Sequence, residues 1–190
     1  MEHVPTPSQT VGPYLRIGLT QAHAVPRIAG HQAQGETIGL TCRVFDGDGV
    51  PVDDAMIEIW QADARGRYHH PEDPLAGDAD PHCAGFGRMG TDHNGSLSFH
   101  TVKPGRVPGL PGHMQAPHLN VLVFSRGLLQ HQFTRMYFAG EPANHEDSVL
   151  AMVPEERRDT LMAQPDPESS GHWRFDIYLC GERETVFFDV

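Results

Sequence analysis

Residues 116–124 read APHLNVLVF, and this stretch decides the fold. In an extended chain, alternate side chains point to opposite faces. Leu119, Val121 and Val123 then share one wholly aliphatic face, while His118, Asn120, Leu122 and Phe124 share the other. A strand with one aliphatic face has to lay it on a core, which predicts a layered β-sheet. The other face carries two polar groups, His118 and Asn120, at the spacing that would aim both at one ligand.

Outward from this strand, the same pattern recurs. Thr37–Phe45 (TIGLTCRVF) is rich in β-branched residues and alternates, and DGDG at 46–49 is a turn signal. Ala55–Gln61 reads as the next strand. Phe86–Thr91 and Ser96–Val102 form a hairpin around DHNG at 92–95. Leu128–Phe138 is expected to pair with the opening strand across Arg126-Gly127, and Trp173–Leu179 and Thr185–Val190 complete the set. The segment KPGRVPGLPG at 103–112 is too rich in proline and glycine for regular structure. Helix is expected only over Asn144–Val153 and Pro154–Ala163, where Asn144 and Pro154 suit a helix start. Residues 1–14, with Pro5, Pro7 and Pro13, predict an extended arm without helix. The sum is an all-β chain: one domain over 1–190, a β-sandwich with long loops, an extended N-terminal arm and one or two short helices.

Charge narrows the function. The 190 residues carry 14 Lys+Arg against 25 Asp+Glu, a net charge of -11. Such a field repels nucleic acid and anionic membrane alike. No apolar run approaches the roughly 20 residues of a membrane span. The start, MEHVPTPSQTVGPY, has neither the basic nor the apolar region of a secretory signal. The 3 cysteines are widely separated with no CxxC spacing, which suits a reducing cytoplasm. Most of the 13 histidines stand singly in polar segments and read as solvated.

The metal question posed by His118 and Asn120 has an incomplete answer. Asparagine is a weak ligand for transition metals, which favour histidine, cysteine and carboxylate. Tyr68, in RGRYHHP, is a second candidate, because phenolate suits ferric iron. His69 and His70 follow it directly, but successive side chains of an extended chain diverge. His113 lies in a loop. Two plausible ligands remain where three or four are needed.

The chain resembles the intradiol ring-cleavage dioxygenases nearly end to end. The resemblance is carried by TPSQTVGPY at 6–14, VFDGDGVPVDDAMIEIWQADARGRY at 44–68 and TDHNGSLSFHTVKPG at 91–105. It continues in APHLNVLVFSRG at 116–127, TRMYF at 134–138 and FDIYLCGERETVFFDV at 175–190. HLNVLVFSRG with TRMYF points to the α chains of two-chain members.

The resemblance implies a non-iron α subunit that pairs with a homologous β subunit carrying Fe(III). The pair cleaves protocatechuate with O2 to 3-carboxy-cis,cis-muconate in aromatic catabolism. Iron-bearing chains use two tyrosines and two histidines. By correspondence these fall on Tyr68 and His118, which are kept, and on Val107 and Asn120, which are not. Gln115 stands where those chains have an arginine, and Arg135 where they have a glutamine. A guanidinium remains protonated under ordinary conditions and opposes a trivalent cation. Arg135 is expected to fill the vestigial site and hydrogen-bond Asn120 or Tyr68. The same resemblance implies that Thr10, Gly12 and Tyr14 of the arm, with Arg126, line the substrate pocket of the partner. Arg126 then meets the substrate carboxylate. Three alternatives share this sequence pattern: a non-enzymatic β-sandwich binding a small aromatic, a dioxygenase for another catechol, and a free-standing metalloenzyme using Tyr68, His118 and a loop histidine.

Overall fold

The computed structural model describes residues 5–109 and 111–189. Strand β1 is Thr37–Phe45, β2 Met56–Trp60, β3 Phe86–Gly90, β4 Ser96–Val102, β5 Val107–Pro108 and β6 Met114–Gln115. Then follow β7 at His118–Phe124, β8 at Gln132–Phe138, β9 at Met162–Pro165 and β10 at His172–Tyr178, with one α-helix, α1, at Pro13–Thr20. Eight strands run in the order β3-β2-β7-β8-β9-β10-β1-β4. Short β9 is the hinge of this arrangement. Its Met162 and Ala163 pair with β8, and its Gln164 and Pro165 pair with β10. The strand thereby passes from one layer to the other, and the sheet folds over on itself as a nearly closed sandwich.

Alternation along the strands fills the space between the layers. Leu119, Val121 and Val123 of β7 are fully buried, as are Ile57 and Ile59 of β2 and Leu40, Cys42 and Val44 of β1. They meet Phe99, Met136, Phe138, Phe175 and Ile177 in one cluster. Each large aliphatic or aromatic side chain removed from water there contributes about 1.5–3 kcal/mol. A second, smaller cluster lies on the outer side of β8, where Tyr137 packs with Ala116, Leu150, Val153 and Leu161.

Four expectations need correction. First, the arm is extended only as far as Gly12, and α1 begins at Pro13. Proline at the first helical position loses no intrahelical bond and has its φ already set, so it starts a helix that it could not sit within. Second, 3-10 turns at Pro142–Glu146, Leu150–Met152 and Glu155–Leu161 replace the helices expected over 144–163. The Asp147 side chain accepts from Val149 N–H at 2.9 Å and Leu150 N–H at 2.8 Å, and so competes with a helical ladder. Third, the last segment, described to Asp189, makes no extended ladder. It closes the open half of the β8 edge through one bridge, Phe133 to Phe188, and a hydrogen bond from Thr134 Oγ1 to Val186 O at 2.7 Å; Val190 lies outside the described residues. Fourth, the loop at 103–112 contains β5, whose Val107 pairs with Gln115 and Pro108 with Met114; Leu110 lies outside the described residues. Boundaries shift as well: β8 starts at Gln132 rather than Leu128.

Candidate functional site

The outer face of the β3-β2-β7-β8 layer carries Trp60, His118, Asn120, Arg135 and Tyr137 side by side. Register makes this so: Asn120 stands opposite Trp60 on one side and Arg135 on the other, and His118 stands opposite Tyr137. Two loops cover the face and bring in Tyr68 and Val107. The loop after β2 is pinned by Asp63, which is buried and accepts from Arg65 N–H at 2.8 Å, Arg67 N–H at 3.0 Å and Asp80 N–H at 2.8 Å. Tyr68 N–H is in turn held by Asp73 Oδ2 at 2.7 Å. This loop crosses the 105–107 segment backbone to backbone. A Cβ on Gly66, at φ +75°, would lie 1.8 Å from Arg106 O, so only glycine allows the crossing. Tyr68 and Val107 meet across it and line one hollow of about 370 Å³ with Trp60, Leu75 and Pro108.

The chemistry of this cluster is that of a packed polar network. The Tyr68 ring stacks on Trp60 with centroids 6.0 Å apart and planes 9° apart. Burial raises the Tyr68 pKa, outweighing the Asn120 amide against its hydroxyl and the Arg135 charge, which both favour phenolate. The phenol therefore stays protonated at neutral pH. His118 is 3% exposed, and its Nδ1 lies 2.7 Å from Ala116 O. A carbonyl only accepts, so the proton resides on Nδ1. Burial, with the Arg135 charge, holds the His118 pKa down at about 4. Arg135 is turned into the cluster, and its Nη1 donates to Gln115 Oε1 at 2.6 Å. The expected direct partners were Asn120 or Tyr68. Gln115 takes their place, with its amide oriented by a hydrogen bond from Nε2 to Pro108 O at 3.3 Å. Val107 is buried and offers no donor atom.

These residues do not fit a ferric ion. His118 Nε2 and the Tyr68 hydroxyl are two candidate donors, the Asn120 amide is weak, Val107 offers none, and a fixed cation stands among them. Such a charge opposes a trivalent ion by several kcal/mol. Among the described residues, no three His, Cys, Asp or Glu side chains converge as a metal-binding group.

Thr10, Gly12, Tyr14 and Arg126 lie toward the other end of β7. Arg126 lies six positions along the chain from Asn120, at most about 20 Å in extended backbone. Thr10 Oγ1 accepts the Gly127 N–H at 2.8 Å and so ties the arm to the β7–β8 turn. Gly12 and Arg126 line a hollow of about 220 Å³ together with Leu15, Ile17, Asp54 and Phe124. A Cβ on Gly12 would meet nothing within 4 Å, so this chain alone does not require glycine there. Tyr14 is outside that hollow and 84% exposed. Arg126 is 73% exposed, with Nε 3.1 Å from Asp54 Oδ2 and Nη2 3.7 Å from Asp53 Oδ1. The sequence reading did not single out these two aspartates, nor Asp147 beneath His118. The DD pair at 53–54, directly before a strand, was the available signal.

Comparison with known proteins supplies the family. A dioxygenase family model matches residues 11–181. The chain is 45% identical, over 198 aligned positions covering 97% of both chains, to a protocatechuate 3,4-dioxygenase alpha chain from Burkholderia cepacia. It is 37% identical to a protocatechuate 3,4-dioxygenase beta chain from the same organism, over 80% of this chain and 67% of the relative. The dioxygenase domain of a carbohydrate-binding fusion protein from Streptomyces sp. SirexAA-E shares the fold, with a TM-score of 0.64 at 24% identity, over 96% of this chain and 100% of that one. The sandwich, the dioxygenase match and the end-to-end similarity agree: this chain belongs to the iron-dependent intradiol dioxygenase family, beside its protocatechuate 3,4-dioxygenase alpha chains.

Proposed function

We propose that this chain is the non-iron alpha subunit of a protocatechuate 3,4-dioxygenase. A homologous beta subunit holds the ferric ion, and the assembled pair cleaves protocatechuate with O2 to 3-carboxy-cis,cis-muconate. The observation that carries this reading is Arg135: its guanidinium stands in the Tyr68–His118–Asn120 cluster, where the family relies on a cation of its own. In this proposal Tyr68, Val107, His118, Asn120 and Arg135 are a vestigial metal site retained for packing.

The contribution of this chain to catalysis is binding and orientation at the partner's pocket. Thr10 fixes the arm beside Arg126, Gly12 lets backbone come close, and Tyr14 offers an exposed ring with a polar tip. Arg126 presents its guanidinium to the substrate carboxylate. A covering partner is supported by α1, which has no buried residue, and by Ile17 and Leu129, which are exposed at 42% and 64%. Permanent interfaces of this kind commonly bury more than about 2,000 Å².

Two measurements test the proposal. Purified alone, the chain is expected to hold far less than one iron per chain and to leave protocatechuate intact, with cleavage appearing once an iron-loaded beta subunit is added. Stoichiometric iron and ring cleavage by the isolated chain would overturn it. In the assembled complex, Arg126→Ala is expected to raise KM for protocatechuate about 10- to 100-fold, the worth of a hydrogen-bonded charge pair, with catechol little affected. Equal changes for both substrates would remove Arg126 from carboxylate recognition.

A further inference from the structure

The turn before β2 holds two groups that the proposed function leaves without a role, Asp53 and Asp54. Asp54 is the better placed. Its side chain is 28% exposed, against 59% for Asp53, and its Oδ2 lies 3.1 Å from Arg126 Nε, against 3.7 Å for the Asp53 contact to Nη2. Its Oδ1 is enclosed with no hydrogen-bond partner among the described residues, and so is Arg16 Nε on α1. Both residues line the hollow that contains Gly12 and Arg126.

The same turn also sets the helix. Arg16 Nη2 donates to Thr91 O at 2.5 Å, and Thr91 N–H donates to Ala55 O at 2.9 Å, next in chain to Asp54. Arg126 and α1 are thereby registered against one short, backbone-fixed segment, and both line the same hollow.

We infer that Asp54 is a positioning residue that aims Arg126 at the substrate carboxylate. The inference rests on the reading of Arg126 given above. A guanidinium offers a carboxylate two bidentate edges, one through Nε and an Nη and one through both Nη atoms. Asp54 occupies the Nε side, which leaves the end of the fork to face outward. It also restrains a long side chain that is 73% exposed and otherwise free to sample many rotamers. A carboxylate substituent arriving from the partner's pocket then meets a pre-oriented end-on fork, while a catechol without that substituent gains nothing from the restraint.

The test is a double-mutant cycle in the assembled enzyme, with KM measured for protocatechuate and for catechol. Asp54→Asn keeps the shape and removes the charge. It is expected to raise KM for protocatechuate about fivefold and to leave KM for catechol unchanged, the signature of a lost charge-assisted contact. In an Arg126→Ala background, Asp54→Asn is expected to add nothing, because the two residues act as one unit. Equal shifts for both substrates would assign Asp54 a purely structural role and overturn the inference. So would an undiminished effect in the Arg126→Ala background. A lower KM for protocatechuate would also overturn it, by identifying Asp54 as a competitor for the guanidinium. If Arg126→Ala alone leaves the ratio of KM values unaltered, the underlying reading of Arg126 fails and takes the inference with it.

Discussion

Asp147→Ala is expected to destabilise the chain by about 3–5 kcal/mol, the cost of stranding several buried donors at once. The carboxylate is 1% exposed and accepts from four groups. Ala116 N–H reaches Oδ2 at 2.7 Å, while Tyr137 Oη at 3.2 Å, Val149 N–H at 2.9 Å and Leu150 N–H at 2.8 Å reach Oδ1. These bonds fasten the 142–153 turns to the entry of β7, directly under His118. Tyr137→Phe removes one of the four and is expected to cost about 1 kcal/mol. Urea denaturation followed by tryptophan fluorescence measures both. A loss below about 1 kcal/mol for Asp147→Ala would mean that desolvation of the carboxylate cancels its hydrogen bonds.

Acid is expected to weaken the fold through His118. Its pKa in the folded chain is about 4, against about 6.5 in an unfolded chain. Between those values the unfolded state binds the extra proton, so stability rises with pH across the window. The contribution is complete above about pH 6.5 and is lost as pH falls toward 4, a total of about 3 kcal/mol at 1.36 kcal/mol per unit. Arg135 and Asp147 act on the ring and Tyr137 packs against it with centroids 5.7 Å apart, and burial is the largest cause of the shift, ahead of the Arg135 charge. The same titration of His118→Gln should be shallower over that window, keeping only the carboxylate part that sets in below about pH 5. Carboxylates with lowered pKa, Asp73, Asp80, Asp92 and Glu141, act at lower pH. Unfolding free energies measured between pH 7 and 4 separate the two classes. A wild-type slope no steeper than that of the variant would place the imidazole in contact with water.

The two sets of residues are held in different ways. His118, Asn120, Arg135 and Tyr137 are interlocked on a sheet face, whereas Thr10, Gly12, Tyr14 and Arg126 occupy an arm, a helix start and a turn. Strands position the first set, and the second is arranged by a few side-chain contacts. Under the proposed function, groups that reach a neighbour's pocket belong at the rim, which is where loops and termini lie.

How much of this was legible in the sequence depends on the range of the forces involved. β1 was read to the residue, Thr37–Phe45, because alternation and a DGDG turn are local signals. The outward grouping of His118 with Asn120 followed from the same period of two. The helix start at Pro13 was misread because proline acts oppositely at the first helical position and inside a helix, and only the flanking geometry distinguishes them. The 3-10 turns over 142–161 were misread because Asp147 captures backbone donors while bonded to Ala116, a residue 31 positions away.

Sequence by itself determined the sandwich, the two faces of β7 and the net negative charge. Each is a matter of residue type and short period, and none needs a partner to be known. Tertiary structure alone decided that β9 joins the layers, that Arg135 bonds Gln115, that a glycine crossing at Gly66 sets Tyr68 and Val107 around one hollow, and that Asp54 stands beside Arg126. Those contacts join segments far apart in the chain, and their energies depend on distance and burial, which no local pattern encodes.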